Sequence, residues 1–129
     1  MNRIPTIEAS EANKQIAPLY EAVQKKLGLL PNMVKALGNS TAGLQAYLGI
    51  SGALGEGSLP AKTREKIALF VAEQNGCHYC LSAHTVISGL LKIPATEIEA
   101  AGRGNAEDSK EQAILELTRQ ILATRRAVS

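Results

Sequence analysis

A chain of 129 residues, 45% of them apolar, is long enough to bury a core and too hydrophobic to be a disordered chain. Fourteen basic and twelve acidic residues, net +2 and spread along the sequence, leave no electrostatic footprint for nucleic acid. One Phe, three Tyr and no Trp leave Leu, Ile, Val and Ala to fill the core, a composition that favours helices. The opening MNRIPTIEAS has no apolar stretch of the ~7–15 residues a signal peptide needs, and no run approaches the ~18 that span a bilayer. The expectation is a cytoplasmic protein without membrane contact, where a cysteine pair is more often redox-active or metal-binding than a structural staple.

In chain order, Ser10 is the candidate cap of a first helical segment, EANKQIAPLYEAVQKKLG, which Gly28 stops and Pro18 kinks or splits. Pro31 opens a short helix, PNMVKALG. Ser40 or Thr41 starts STAGLQAYLGISGAL, with Leu44, Tyr47, Leu48 and Ile50 mostly on one side, and GEGSLP is a loop. Pro60 opens AKTREKIALFVAEQ, ended by Asn75–Gly76, with Ile67, Ala68, Val71 and Ala72 as its expected buried stripe. CHYCLSAHTVISGLLK follows and stops between Gly89 and Pro94; PATEIEAAG ends at Gly102. Asp108 or Ser109 caps KEQAILELTRQILATRR, with Ile114, Leu117, Ile121 and Leu122 as the apolar stripe and Arg125–Arg126 as a solvated helix end. With no convincing strand pattern and no internal repeat, the reading is one all-α domain over residues 1–129.

The stretch NGCHYCLSAH, Asn75–His84, holds both cysteines of the chain. With Cys77 at the N-cap, Cys80 and His84 share its face within about 60° of arc, and an i, i+3 pair puts the Cα atoms about 5–5.5 Å apart, within disulfide reach. Helix N–H groups and the positive end of the dipole lower thiol pKa there. Folding back at Asn75–Gly76 brings Glu65 to the height of His84. The expected relay runs from Glu65 to His84 to Cys80, with Cys77 ready to close a disulfide, and Ala68, Leu69 and Ala72 keep it dry.

Blander readings compete. Two buried small thiols are one. Zinc held by Cys77, Cys80, His84 and Glu65 is another, though structural zinc normally adds a second CxxC or a His pair. A thioredoxin-like fold requires a βαβ pattern, which is absent. Glu65 alone reads as a solvated charge, with Glu73 as the fallback carboxylate; His84 alone reads as a core histidine. His78 and Tyr79 are candidates for the site wall, His78 as an exposed residue and Tyr79 equally as packing. Asn75 and Gly76 are turn residues.

The segment Lys62–Ser88, KTREKIALFVAEQNGCHYCLSAHTVIS, resembles the alkyl hydroperoxide reductase D (AhpD)-like branch of the carboxymuconolactone decarboxylase family. The shared pattern is a Glu twelve residues before the first Cys, then C-x-x-C-x-x-x-H, here Glu65, Cys77, Cys80 and His84. Upstream, LGLLPNMVKALGNS (Leu27–Ser40) resembles small peroxidase-related members, so that the likeness covers about two thirds of the chain and is weakest near its end. It implies an all-α fold with a catalytic antiparallel helix hairpin and an antioxidant thiol peroxidase without metal or organic cofactor. Cys80 is then peroxidatic, Cys77 resolving, and Glu65 with His84 the proton relay. The implied partners are a hydroperoxide, a lipoyl- or thioredoxin-type dithiol reductant, and further copies of the chain in a trimer or hexamer.

One departure stands out: Tyr79 occupies a position where the branch's namesake has a second histidine, and His78 one place earlier points about 100° away. The N-terminal location favours Cys77 as the more acidic thiol, whereas the spacing to His84 and the family favour Cys80, and Cys80 is the assignment made. The alternatives are a lactone decarboxylase, which does not rely on the CxxC pair, and a non-enzymatic redox-sensing or metal-binding module. The apolar face of the hairpin by itself also suggests self-association.

Overall fold

A computed structural model describes residues 3–124 of the chain; the Arg125–Arg126 pair lies outside the described residues. Among the described residues there is no strand, and the chain folds as seven α-helices preceded by one 3-10 turn. No described helix is long and apolar enough to cross a membrane. The chain divides into two compact units, one ending at Gly57 and the other beginning at Ser58.

The first unit holds the 3-10 turn Ala9–Glu11 and helices α1 (Ala17–Leu27), α2 (Asn32–Leu37) and α3 (Thr41–Gly55). The long helix expected over residues 11–28 is split ahead of Pro18. Asn13 closes the gap: its Oδ1 accepts N–H bonds from Gln15 at 2.9 Å and Ile16 at 3.0 Å. Pro18 then sits in the first turn of α1, where a missing N–H leaves no bond unmade. Ser10 is not the cap; Glu8 and Glu11 form a capping box around the 3-10 turn instead. Gly28 ends α1 with φ +76°, and Ser40 Oγ caps α3 by accepting the Gly43 N–H at 3.1 Å.

Ile16, Tyr20, Val23, Val34 and Leu44 are the core of this unit. The Tyr20 hydroxyl lies 3.1 Å from the Ile7 carbonyl and 3.2 Å from that of Lys35, tying the N-terminal segment to α2. Burial, and next the Glu8 carboxylate, raise its pKa against the smaller lowering effect of Lys35. A Cβ at position 38 would collide with that hydroxyl, so glycine is required there. The expected α3 stripe is only partly used: Leu44 is buried and Leu48 half-buried, while Tyr47 and Ile50 stay exposed.

In the second unit α4 (Ala61–Gln74) packs against α5 (His78–Leu90), α6 (Ala95–Gly102) and α7 (Ser109–Thr124). Covered on several sides, α4 buries more than one stripe. Leu69, Phe70 and Ala72 are buried, together with Thr63 and Lys66, whereas Ile67, Ala68 and Val71 of the expected stripe are half-buried. On α7 the buried residue is Leu115; Leu117 and Ile121 face solvent, Ile114 and Leu122 are half-buried, and the expected stripe is thus rotated. Asp108 caps α7, its Oδ1 accepting the Glu111 N–H at 2.9 Å. Arg119 lies over the Phe70 ring at 4.9 Å and donates to the Gly104 carbonyl at 3.2 Å, which pins the α6–α7 loop.

Lys66 joins three helices. Its Nζ donates to Glu97 of α6 at 2.7 Å and to Glu111 of α7 at 2.6 Å, and the Thr63 hydroxyl donates to the other Glu111 oxygen at 2.8 Å. Burial alone would push the Lys66 pKa down and that of Glu111 up. The hydrogen bonds and opposite charges outweigh it, so Lys66 titrates above its usual 10.5 and Glu111 below its usual 4.5. Breaking a buried ion pair from one side leaves the other charge uncompensated and costs about 3–5 kcal/mol in fully buried cases.

Because Lys66 keeps Glu97 as a partner, Glu111→Ala is expected to lower stability at pH 7 by about 1–2 kcal/mol in urea unfolding, less than the loss of both carboxylates. A depressed carboxylate pKa stabilises above its unfolded value and loses that contribution as pH falls through the folded one. A raised lysine pKa contributes below 10.5 and loses it only at higher pH. The wild type should hence lose stability below about pH 4.5, and Glu111→Ala should flatten that acid limb.

Candidate active site

The turn between α4 and α5 positions both cysteines. Asn75 is the C-cap of α4, and Gly76 follows in the left-handed region at φ +61°. The Gly76 N–H then reaches the Glu73 carbonyl at 3.0 Å and the Cys77 N–H the Ala72 carbonyl at 2.9 Å, the paired bonds of a Schellman motif. Cys77 thus closes one helix and caps the next. Its Sγ accepts the Cys80 N–H at 3.2 Å, at the positive end of α5.

Cys77 and Cys80 are joined as a disulfide with their Cα atoms 5.3 Å apart. Both residues are half-buried, so the disulfide is not sealed within the core. One turn beyond Cys80, His84 Nδ1 lies 2.8 Å from Glu65 Oε2 across the hairpin. The Glu65 side chain is 17% exposed and that of His84 33%. An ionised carboxylate only accepts, so Nδ1 carries the proton and Nε2 is left as the basic nitrogen. Leu69 and Ala72, at i+4 and i+7 from Glu65, are buried on its side of α4 and limit water there; Ala68 is half-buried.

The structure therefore brings together Glu65 with His84 and Cys77 with Cys80, on two helices joined by one turn. Glu73 lies exposed in the last turn of α4 and His78 exposed at the start of α5, neither in the Glu65–His84 contact; Tyr79 is 47% exposed beside Cys80. Among the described residues no group of three or more His, Cys, Asp or Glu is arranged to hold a metal ion. A polar feature outside the sequence reading is a cavity of about 270 Å3 beside Lys66, Glu97, Asp108 and Glu111, lined by none of the four motif residues. Nothing in KTREK distinguished Lys66 from its solvated neighbours, because both of its partners come from helices far along the chain.

An all-helical chain with a CxxC disulfide at a helix N-terminus and a Glu–His pair across the hairpin has the AhpD-like fold. Residues 41–120 match the carboxymuconolactone decarboxylase family, and the chain belongs to that family as an AhpD-like member. Among solved structures it is similar over its full length to an uncharacterized peroxidase-related protein from Silicibacter sp. TM1040. That likeness has a TM-score of 0.83 and 25% identity, and covers 73% of the other chain. It is also 55% identical over 42 residues to an uncharacterized protein of Haemophilus influenzae, a match spanning 32% of this chain and 37% of that relative's length.

A Cβ at position 76 meets nothing within 4 Å, so the strain of Gly76→Ala is conformational alone. The substitution is expected to cost about 1 kcal/mol, equally in the oxidised and reduced protein, when both are unfolded in urea.

Proposed function

We propose that the chain is a thiol-dependent peroxidase that reduces hydroperoxides through Cys80 and Cys77, with residues 1–129 acting as one functional domain in the cytoplasm. The observation that carries the reading is the Cys77–Cys80 disulfide one turn from a histidine held by a carboxylate. His84 Nε2 first takes the Cys80 thiol proton; the thiolate attacks the distal oxygen of the hydroperoxide, the O–O bond breaks, and Cys80 becomes a sulfenic acid. The alkoxide leaving group takes that proton back from the His84–Glu65 pair and departs as the alcohol. Cys77 then attacks the sulfenic sulfur, water is lost, and the disulfide forms. An external dithiol of lipoyl or thioredoxin type reduces it in two exchange steps and is itself oxidised. The N-cap location of Cys77 supports that reset: a thiolate expelled there is stabilised by the Cys80 N–H and the helix dipole. No metal or organic cofactor enters this scheme, and a homo-oligomer is the proposed assembly.

A second reading rests on the family match: a lactone decarboxylase in which Glu65 and His84 move the proton and the cysteines are dispensable. A redox-sensing module without turnover is a third.

The test is thiol titration of the reduced protein before and after one equivalent of cumene hydroperoxide, with mass spectrometry of the peptide spanning both cysteines. The peroxidase reading expects two thiols lost and a mass lower by two hydrogens, about 2 Da. Thiols that stay intact would sink it. Cys80→Ser should reduce peroxide consumption to background, and full lactone turnover in that variant would favour the decarboxylase. Disulfide formation without catalytic turnover under any dithiol would favour the sensor. Glu65→Gln keeps the shape of the pair but removes its charge, and is expected to slow peroxide reduction about 100-fold in stopped-flow assays.

A further inference from the structure

Lys66 is 7% exposed, and carboxylates from two other helices converge on its ammonium, Glu97 of α6 at 2.7 Å and Glu111 of α7 at 2.6 Å. Thr63, one turn earlier on the same face of α4, is also buried and donates to the second Glu111 oxygen at 2.8 Å. Neither residue takes part in the Glu65–His84 contact. Stability alone accounts poorly for them, because a well-packed apolar group in place of a buried ion pair is often neutral or stabilising. What the ions add is direction. Leu69, Phe70 and Ala72, the apolar residues buried on α4, resist separation of the helices but yield more readily to a small rotation, whereas a hydrogen bond tolerates only a narrow range of distance and angle.

We propose that Lys66 is a positioning residue for the candidate site: held to α6 and α7, it sets the rotation of α4 that aims Glu65 at His84. Glu65 precedes Lys66 in sequence, so the two side chains leave the helix about 100° apart and turn with it as one body. A side-chain atom about 5–6 Å from the helix axis moves about 1 Å when the helix rotates by about 10°. That displacement opens the 2.8 Å contact between Glu65 Oε2 and His84 Nδ1 beyond hydrogen-bond range. The contact keeps the proton on Nδ1 and leaves Nε2 basic, so the aim of Glu65 decides which imidazole nitrogen can take a proton.

Two side chains of α4, a turn apart, hold the Glu111 carboxylate, and the network therefore resists sliding along the axis as well as rotation. The Glu111 side chain is 19% exposed against 43% for that of Glu97, which makes Glu111 the less screened and stronger hold. The inference rests on the proposed proton-transfer role of the Glu65–His84 pair for its effect on rate, and not for its effect on the imidazole tautomer.

The test reads the His84 tautomer by 15N NMR in the full chain, in its disulfide form, at about pH 9, well above the ordinary histidine pKa. Lys66, which titrates above 10.5, still carries its charge there. His78, the other histidine, is exposed and serves as the internal reference. The wild type is expected with its proton on His84 Nδ1. Lys66→Met/Glu111→Gln, in which the glutamine oxygen still accepts from Thr63, should lose that form and approach the tautomer mixture of Glu65→Gln. Val34→Ala, a core change in the first unit, should lower stability and leave the tautomer unchanged. In peroxide assays the double variant should be about 10-fold slower than wild type. Added to Glu65→Gln it should slow the reaction no further, since a residue that acts only through Glu65 is non-additive with it. If the double variant unfolds, Glu111→Gln alone takes its place, with a shift in the same direction expected. A tautomer indifferent to these changes, one that shifts equally in Val34→Ala, or a further loss of about 10-fold on top of Glu65→Gln would each overturn the inference. A wild type that ignores peroxide sinks only the peroxidase, because the tautomer still decides the positioning; an unmoved tautomer in an active enzyme sinks only the positioning.

Discussion

Everything at the candidate site depends on one left-handed residue. At φ +61° Gly76 lets α4 end with its last carbonyls satisfied and turns the chain back within a single residue. Because the reversal is so short, Cys77 stands directly over the end of α4 and serves as the N-cap of α5. A longer loop would have freed Cys77 from that position and let the register between the helices drift. The tight turn instead sets Glu65 and His84, nineteen residues apart in sequence, at the 2.8 Å that pairs them.

The same helix α4 works on two sides. Glu65 faces α5, while Lys66, next in sequence and about 100° round the helix, is buried against Glu97 and Glu111. The ion pairs to α6 and α7 restrict rotation of α4, and rotation is the motion that would draw Glu65 away from His84. A lysine in that role brings directionality that an apolar residue of equal size lacks, since its ammonium must meet two particular carboxylates. The aim of one carboxylate across the hairpin is thereby supported by a charged group on a neighbouring face of the same helix.

Helix positions were legible in the chain because their punctuation is local. Gly28, Pro31, Ser40, Pro60, Asn75–Gly76, Gly102 and Asp108 each act on neighbouring backbone, and helices begin or end at or within a residue of all of them. Ser10 misled, since it lies inside the 3-10 turn that Glu8 and Glu11 cap, and the α-helix begins only at Ala17. The buried faces were harder to read. On α7 apolar spacing pointed to Leu117 and Ile121, yet Leu115 is the residue that is buried. On α4 the spacing drew one stripe where packing against three helices demanded a broader surface.

By itself the sequence determined the all-helical class, the cysteine spacing that suits a disulfide, and the common face of Cys77, Cys80 and His84. All of these follow from backbone geometry over four to eight residues. Only the tertiary structure decided how the helix faces turn, so that the Glu65 that the hairpin register favoured over Glu73 touches His84 at 2.8 Å and Lys66 rather than an apolar residue anchors α4. Pairings between residues many turns apart depend on how helices are packed and rotated against one another. That rotation is set by the summed contacts of whole faces, which no local spacing encodes.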